Sequence, residues 1–279
     1  MGKYNSEPLV DLSGKHILAV GGTGGLGRAL AQELASHGAH VTVVGQTFRD
    51  ADTKNVDFVK ADLSSMKNTK EATQTLKHTV SDVDIVLLTT GIFAARKREE
   101  TSEGLEKDMA VSFLNRLLLI DTVGPSLKKG TRVFVMGFPG NGQLGTIDDL
   151  NSEKSYQFIR THMTTVAGNE ALVIGSKGKY PGVHFFGLNP GLVKTNIRSN
   201  LAGEEFLEYI ISWFNPTPEQ FAVNVTPILV SPQLDDLDGV HFNRTGDLLD
   251  ATKGMDEEYA NNFLEKSRAL ISKALSSST

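Results

Sequence analysis

Short apolar runs alternate along this chain with longer stretches in which apolar residues recur every three or four positions. The runs His16–Val20, Val41–Val44, Val56–Lys60, Ile85–Thr89, Thr131–Met136, Val183–Leu188 and Val240–Phe242 are continuous and rich in Val, Ile and Phe. Strands buried on both faces read this way, because neither face has to be polar. Helical spacing covers Arg28–His37, Lys67–Thr79, Gly104–Val123, Ser155–Ser176 and Pro218–Val230. Strand, helix and strand in this rhythm predict right-handed crossovers and an α/β fold, a doubly wound parallel sheet of about seven strands with helices on both faces. No repeat, low-complexity tract or linker divides residues 1–279, which read as a single nucleotide-binding domain. One segment stands apart: Gly203–Phe214 is amphipathic and precedes the Pro216/Pro218 break. It reads as a core-packing helix or as a lid, and a substrate-lid insertion over 199–217 is the expectation.

The first strand runs into Gly21-Gly22-Thr23-Gly24-Gly25-Leu26-Gly27, and a helix follows. Small residues there let the backbone turn tightly and approach a diphosphate, while the opening helix points free N–H groups at the anion. In this strand–turn–helix context the motif indicates a Rossmann-type nucleotide site. Other candidates fall at strand ends on the same edge. Asp62 closes the third strand region and can accept from an adenine amino group. Thr89-Thr90-Gly91 and Asn189-Pro190-Gly191 end the fourth and sixth strands, with Val193 and Thr195 just beyond. Open parallel sheets bind ligands along this edge.

Composition narrows the class. The chain has 279 residues, 39% of them apolar and 22% charged, with net charge −5 and no cysteine. A packed core is within reach, a basic footprint for nucleic acid is absent, and thiolate chemistry is excluded. The polar start, Met1–Ser13, lacks a signal-peptide core, and no apolar run approaches the roughly 20 residues of a membrane span. The expectation is a cytoplasmic protein with no membrane or nucleic-acid partner. The histidines show no metal-ligand spacing.

From about Leu12 to Phe242 the chain resembles the short-chain dehydrogenase/reductase family. The resemblance rests on the glycine turn, the Asp62-Leu63 pair and Pro190-Gly191-x-x-x-Thr195. It implies that Gly21, Thr23, Gly24, Gly25, Leu26 and Gly27 hold the diphosphate and that Asp62 and Leu63 meet the adenine. It places Thr90 and Gly91 beside the dinucleotide, and Pro190, Gly191, Val193 and Thr195 on the nicotinamide side. The second strand ends in Gly45-Gln46-Thr47-Phe48-Arg49, with no carboxylate before Asp50 to hold a ribose 2′-hydroxyl. Gln46 and Arg49 therefore join the cofactor set. Arg28 and Arg49 can reach a 2′-phosphate, which favours NADPH over NADH.

At the reacting end the chain departs from the family. The family's chemistry uses a Tyr phenol with a Lys one helical turn on, a Ser after the fifth strand and an Asn on the preceding helix. Gly137 or Phe138 stands in the Ser place, and Asn115 is near the Asn place but off register. Tyr156 precedes Arg160, not Lys, by four. Arg160 can stabilise a phenolate by charge but cannot relay protons. Counting back from Pro190 instead puts Arg160 in the Tyr slot and Thr164 in the Lys slot. His162 is a third candidate, since its ordinary pKa suits proton transfer near neutrality. Tyr156, Arg160 and His162 form the catalytic set, and Glu170 reads as a base or an ion-pair partner. No metal is expected.

Two functions fit. One is an NADPH-dependent ketone or aldehyde reductase or alcohol dehydrogenase with an atypical site. The other is a family relative without redox turnover: an isomerase, cyclase, lyase or nucleotide-binding protein. The apolar residues of Phe206–Phe214, with Trp213, suggest a mostly apolar small molecule of the aromatic, polyketide-like or terpenoid kind met in secondary metabolism. The resemblance also implies a homodimer or homotetramer built on a four-helix face from Gly104–Val123 and Ser155–Ser176, loaded by Leu114, Leu117, Leu118 and Ile120.

Overall fold

The computed structural model describes residues 11–191 and 216–277. Val193, Thr195 and all but the last two residues of the expected lid lie outside the described residues. The strands are β1 His16–Val20, β2 His40–Gly45, β3 Val56–Lys60, β4 Ile85–Leu88, β5 Arg132–Met136, β6 His184–Asn189, β7 Val240–Asn243 and β8 Leu248–Leu249. They form one sheet in the order β3-β2-β1-β4-β5-β6-β7-β8. Pairing is parallel throughout β1–β7. The eighth strand is an addition to the expected seven, a two-residue edge strand antiparallel to β7. A strand of two residues carries no readable hydrophobic pattern.

The α-helices among the described residues are α1 Gly25–Ser36, α2 Met66–Leu76, the single turn α3 Lys107–Met109, α4 Asn115–Val123, α5 Phe158–Ser176, α6 Pro218–Val230 and α7 Glu257–Ser277. The order of β1 between β2 and β4 reverses the winding there, so α1 and α6 share one face while α2, α4 and α5 occupy the other. The fully buried Phe134, Phe186, Phe221 and Phe242 fill the α1/α6 side. Phe113, Phe185 and Phe263 fill the other.

Two helical features were not legible in the apolar pattern. The first is a π turn at Ala110–Leu114 that joins α3 to α4. Asn115 Nδ2 donates to the carbonyls of Ala110 and Val111, which occupy groups the widened turn sets free. Such turns occur mostly as single insertions and are frequent at functional sites. The second is α7, which lies along α5 and reaches α2 and α4. Its Phe263 meets Phe113 edge-on at 5.7 Å, and Leu264 fills the space over Gly175, where a Cβ would stand 2.7 Å from Leu264 Cδ1. Leu114, Leu117 and Ile120 are fully buried within the single chain. Leu118, the fourth residue expected on that face, stays half-buried, and α7 packs chiefly along α5.

Candidate active site

The glycine turn divides its work by position. Gly21 has φ +86°, and a Cβ on it would stand 2.6 Å from the Thr90 amide nitrogen. A Cβ on Gly27 would fall on Thr89 Oγ1 and lie 2.6 Å from the Gly21 carbonyl oxygen. The absence of a side chain at Gly27 therefore lets α1 close on β4. Gly24 does face open space. It is the N-cap of α1, no side chain caps that helix, and the nearest atom to a built Cβ is Arg49 Nη1 at 3.9 Å. The uncapped first turn and the empty ground before Gly24 fit an anion held by backbone N–H groups. Gly25, with φ +50°, begins α1, and Leu26 packs against the core beneath it.

The strand-end positions lie around this turn. Thr23 lies across β2, where a Cβ on Gly45 would stand 2.7 Å from Thr23 Cγ2. That contact explains why the strand ends in Gly. Gln46 and Asp62 line one cleft of about 460 Å³ together with Lys60, Asn68, Glu71 and Thr75. Burial would raise the Asp62 carboxyl, but hydrogen bonds from the Ser64 hydroxyl and amide, and from Gln46, hold it below its ordinary value. Leu63 is a core residue at its edge. The shape and the mixed donors and acceptors fit an adenine.

The two arginines differ. Arg28 pairs with Asp50 through three bonds, Nε to Oδ1 at 3.0 Å and to Oδ2 at 2.8 Å and Nη2 to Oδ1 at 2.6 Å, and Gln32 adds a fourth at 2.8 Å. Its charge is thus answered inside the chain. Arg49 is exposed and gives one N–H to the Thr23 carbonyl at 3.1 Å, which holds it over the glycine turn. Of the two, Arg49 is the exposed one.

On the nicotinamide side, Thr90 is buried and Gly91 half-buried at the end of β4. Asn189 Oδ1 accepts from the Gly191 amide at 2.8 Å, and Gly191 turns with φ +64° beside Pro190. Between these strand ends a cation that sequence reasoning missed is fully enclosed. Arg116 donates to the carbonyls of Thr90 and Met136, the latter at 2.5 Å, and to Asn169 Oδ1 at 2.7 Å. Burial pulls its pKa down to about 9, with Asp108 opposing. Asn169 also gives its amide to the Ser112 carbonyl at 2.9 Å. A lone Arg inside the apolar run Leu114–Ile120 was the available signal.

The Tyr156–Arg160 pair does not form. Helix α5 begins at Phe158, so Tyr156 precedes it, and the one-turn relation that would align the two side chains is lost. Tyr156 donates to the Ala95 carbonyl. Burial, then the nearby Glu106 and Asp108, push its phenol up to about 12, away from an easily ionised state. Arg160 is exposed and turns to Thr146 Oγ1 at 2.9 Å. The second register does no better: Thr164 Oγ1 accepts from the Thr146 amide and donates to the Arg160 carbonyl. Tyr156, Arg160, Arg96, Leu144, Thr146 and Met163 line a cleft of about 640 Å³. Glu170 is buried and, among the described residues, is neither an open base nor an ion-pair partner. Its oxygens take the Thr252 amide and hydroxyl and the Gly140 amide, which fixes the segment after β5.

His162 is placed differently. Its Nδ1 lies 2.8 Å from Asp108 Oδ2, and its ring stacks on Phe93 with centroids 4.0 Å apart. Asp108 is wholly buried and also accepts from Ser112 Oγ at 2.5 Å and Thr165 Oγ1 at 3.4 Å. Ser112 Oγ in turn accepts from the Ile92 amide at 3.0 Å. Asp108 and His162 are 54 residues apart, so only the packing of α5 on the π-turned helix joins them.

A parallel α/β sheet with a phosphate-ready glycine turn at its winding reversal defines a dinucleotide-binding protein. The family model described as short chain dehydrogenase matches residues 15–206, and the chain belongs to that family. An uncharacterized oxidoreductase of Saccharomyces cerevisiae is 46% identical over 280 residues, 95% of this chain and 91% of that one. Retinol dehydrogenase 14 of Homo sapiens is 24% identical over 296 residues, 93% of this chain and 87% of that one. Among solved structures, a short-chain dehydrogenase/reductase from Serratia marcescens superposes with a TM-score of 0.62 at 20% identity, covering 83% of this chain and 96% of that one. Oxidoreductase activity of the short-chain type with an NAD(P) cofactor is the function this supports. Among the described residues no helix is long and apolar enough to cross a membrane.

Proposed function

We propose that this chain is an NADPH-dependent oxidoreductase that interconverts a carbonyl and an alcohol on a mostly apolar small molecule, in the cytoplasm. The observation that carries the cofactor choice is Arg49, held over the glycine turn by the Thr23 carbonyl, beside a strand end occupied by Gly45 and Gln46. An acidic side chain there would select the free ribose, whereas an exposed guanidinium suits a 2′-phosphate. The first turn of α1 and Gly24 would hold the diphosphate, and Gln46 and Asp62 the adenine. Thr90, Gly91, Pro190 and Gly191 would flank the nicotinamide, with Val193 and Thr195 continuing that side. Bound there, the nicotinamide supplies or accepts a hydride. The protein's share is to position the substrate carbon and to exchange a proton with its oxygen.

What favours redox turnover over an isomerase, cyclase, lyase or non-catalytic nucleotide-binding role is membership of the short-chain dehydrogenase family together with the 46% identical oxidoreductase relative. Titration of the purified chain with NADPH and NADH, followed by reduced-nicotinamide fluorescence, tests the reading. Tighter binding of NADPH supports it. Equal binding removes the preference, and no binding of either removes the function.

A further inference from the structure

The reaction proposed above needs a proton at the substrate oxygen, and Tyr156 and Arg160 are engaged elsewhere, on Ala95 and Thr146. The structure holds another titratable group beside the strand end. We propose that His162 exchanges that proton through Nε2, and that Asp108 is its positioning residue. The inference rests on the NAD(P)H-dependent reading.

The argument begins with Asp108. Its carboxylate, 0% exposed, collects donors from three side chains: Ser112, His162 and Thr165. A carboxylate is an acceptor only, so the imidazole nitrogen facing it carries its hydrogen on Nδ1. That leaves Nε2 as the atom that gains or loses a proton. Stacking on Phe93 at 4.0 Å and 26° holds the ring plane. Phe93 lies two residues beyond Gly91, and Ser112 binds both Asp108 and the Ile92 amide. The pair is therefore tied on two sides to the segment leaving β4, where the substrate carbon must lie to meet a hydride. The imidazole keeps 17% of its side-chain surface accessible, so the ring is not sealed from solvent.

The surrounding charges are few. Asp108 faces the ring from α3, Glu106 caps the same helix, and the Asp108 charge also acts on Tyr156, before α5, and on Arg116, on α4. In the reductive direction the carbonyl carbon takes the hydride and the π pair moves to oxygen. That oxygen takes the proton from Nε2. The neutral ring, still bonded to Asp108 through Nδ1–H, recovers a proton from solvent. In oxidation each step runs backwards. A buried carboxylate that only fixes a ring and its tautomer acts as the Asp of a catalytic triad does.

Three variants test this: His162→Gln, Asp108→Asn and Tyr156→Phe. NADPH oxidation would be followed with 4-nitrobenzaldehyde and all-trans-retinal as probes, alongside NADPH affinity, thermal melting and the imidazole proton region of the NMR spectrum. His162→Gln should lower kcat about a hundredfold or more, the usual loss with a general acid, at unchanged NADPH affinity. Wild type should show a low-field Nδ1 proton that disappears in both His162→Gln and Asp108→Asn. Asp108→Asn should also lower kcat and displace the pH profile. A His162→Gln variant within about threefold of wild-type kcat overturns the inference, as does loss of turnover in Tyr156→Phe alone. An Nδ1 signal that is absent, or indifferent to Asp108→Asn, also overturns it, whatever the probes show. Wild type that binds no NADPH overturns the functional reading instead.

Discussion

Arg268 on α7 lies across both oxygens of Asp121 near the end of α4, at 2.7 and 3.0 Å. Burial would raise the Asp121 carboxyl, but Arg268 and Lys179 together hold it below its ordinary value. This ion pair ties the C-terminal helix to α4. The outward residues of α7, including Glu257, Glu258, Asn261, Asn262, Glu265 and Lys273, are exposed and polar. An apolar surface is thereby exchanged for a polar one.

The docking of α7 makes a testable statement about association. The intact chain should sediment with the mass of one chain at micromolar concentration. Phe263→Ala should lower unfolding free energy by about 3–5 kcal/mol, the usual loss for a fully buried aromatic. Arg268→Ala should cost about 1 kcal/mol or less, because the pair is partly exposed. Urea unfolding and analytical ultracentrifugation measure both. A stable dimer formed by the intact chain through α4 and α5 would contradict the arrangement.

The glycine turn should separate folding from binding. Gly24→Val places its side chain in open ground before α1, so the fold should survive and NADPH binding should be lost. Gly27→Val drives a side chain into Thr89 and the Gly21 carbonyl, so melting temperature should fall together with binding. Fluorescence titration and thermal melts on the two variants read the difference.

Arg49→Ala should weaken NADPH about tenfold, in keeping with the ~1.5–3 kcal/mol of a charged hydrogen bond partly exposed to water, and leave NADH affinity close to wild type. Arg28→Ala should act mainly on stability, since it leaves the buried Asp50 with Gln32 alone among its side-chain partners. The ratio of NADPH to NADH dissociation constants is the measurement.

Glu106 should impose a pH dependence on stability. Burial, offset in part by the Met109 amide and increased by Asp108, lifts its carboxyl to about 7 from an ordinary 4.5. The folded state therefore keeps a proton that the unfolded state releases. Its favourable contribution is complete below about pH 4.5 and is lost as pH rises through 7. Glu106→Gln keeps an acceptor for Met109 and removes the titration, so at pH 8 it should be more stable than wild type by ~1–3 kcal/mol. Denaturant unfolding at pH 5 and pH 8 would show the gap close at the lower pH.

The fold's order was legible because its signals are local. A strand such as Ile85–Leu88 is buried at every position, which leaves an unbroken apolar run. The glycine turn, Gln46 and Asp62 occupy strand ends, where position in the chain already implies position on the sheet edge. Helix α7 escaped notice although Phe263, Leu264, Ser267, Ile271 and Ala274 form a regular buried stripe, because many polar residues intervene. Tyr156 and Arg160 carried the right spacing, but spacing aligns side chains only inside a helix, and the helix starts two residues after Tyr156.

By itself the sequence determined the parallel α/β order, the nucleotide turn and the absence of an acid at the second strand end. Each depends on neighbours within a few residues. Only the tertiary structure decided which distant polar groups meet beside the end of β4. Asp108 and His162, like Arg116 and Asn169, are separated by more than fifty residues and come together when α5 docks against the π-turned helix. The same packing laid α7 along α5. A buried carboxylate or guanidinium is stable only with its partners in place, so its role is a property of the packed core and leaves no periodic trace in the chain.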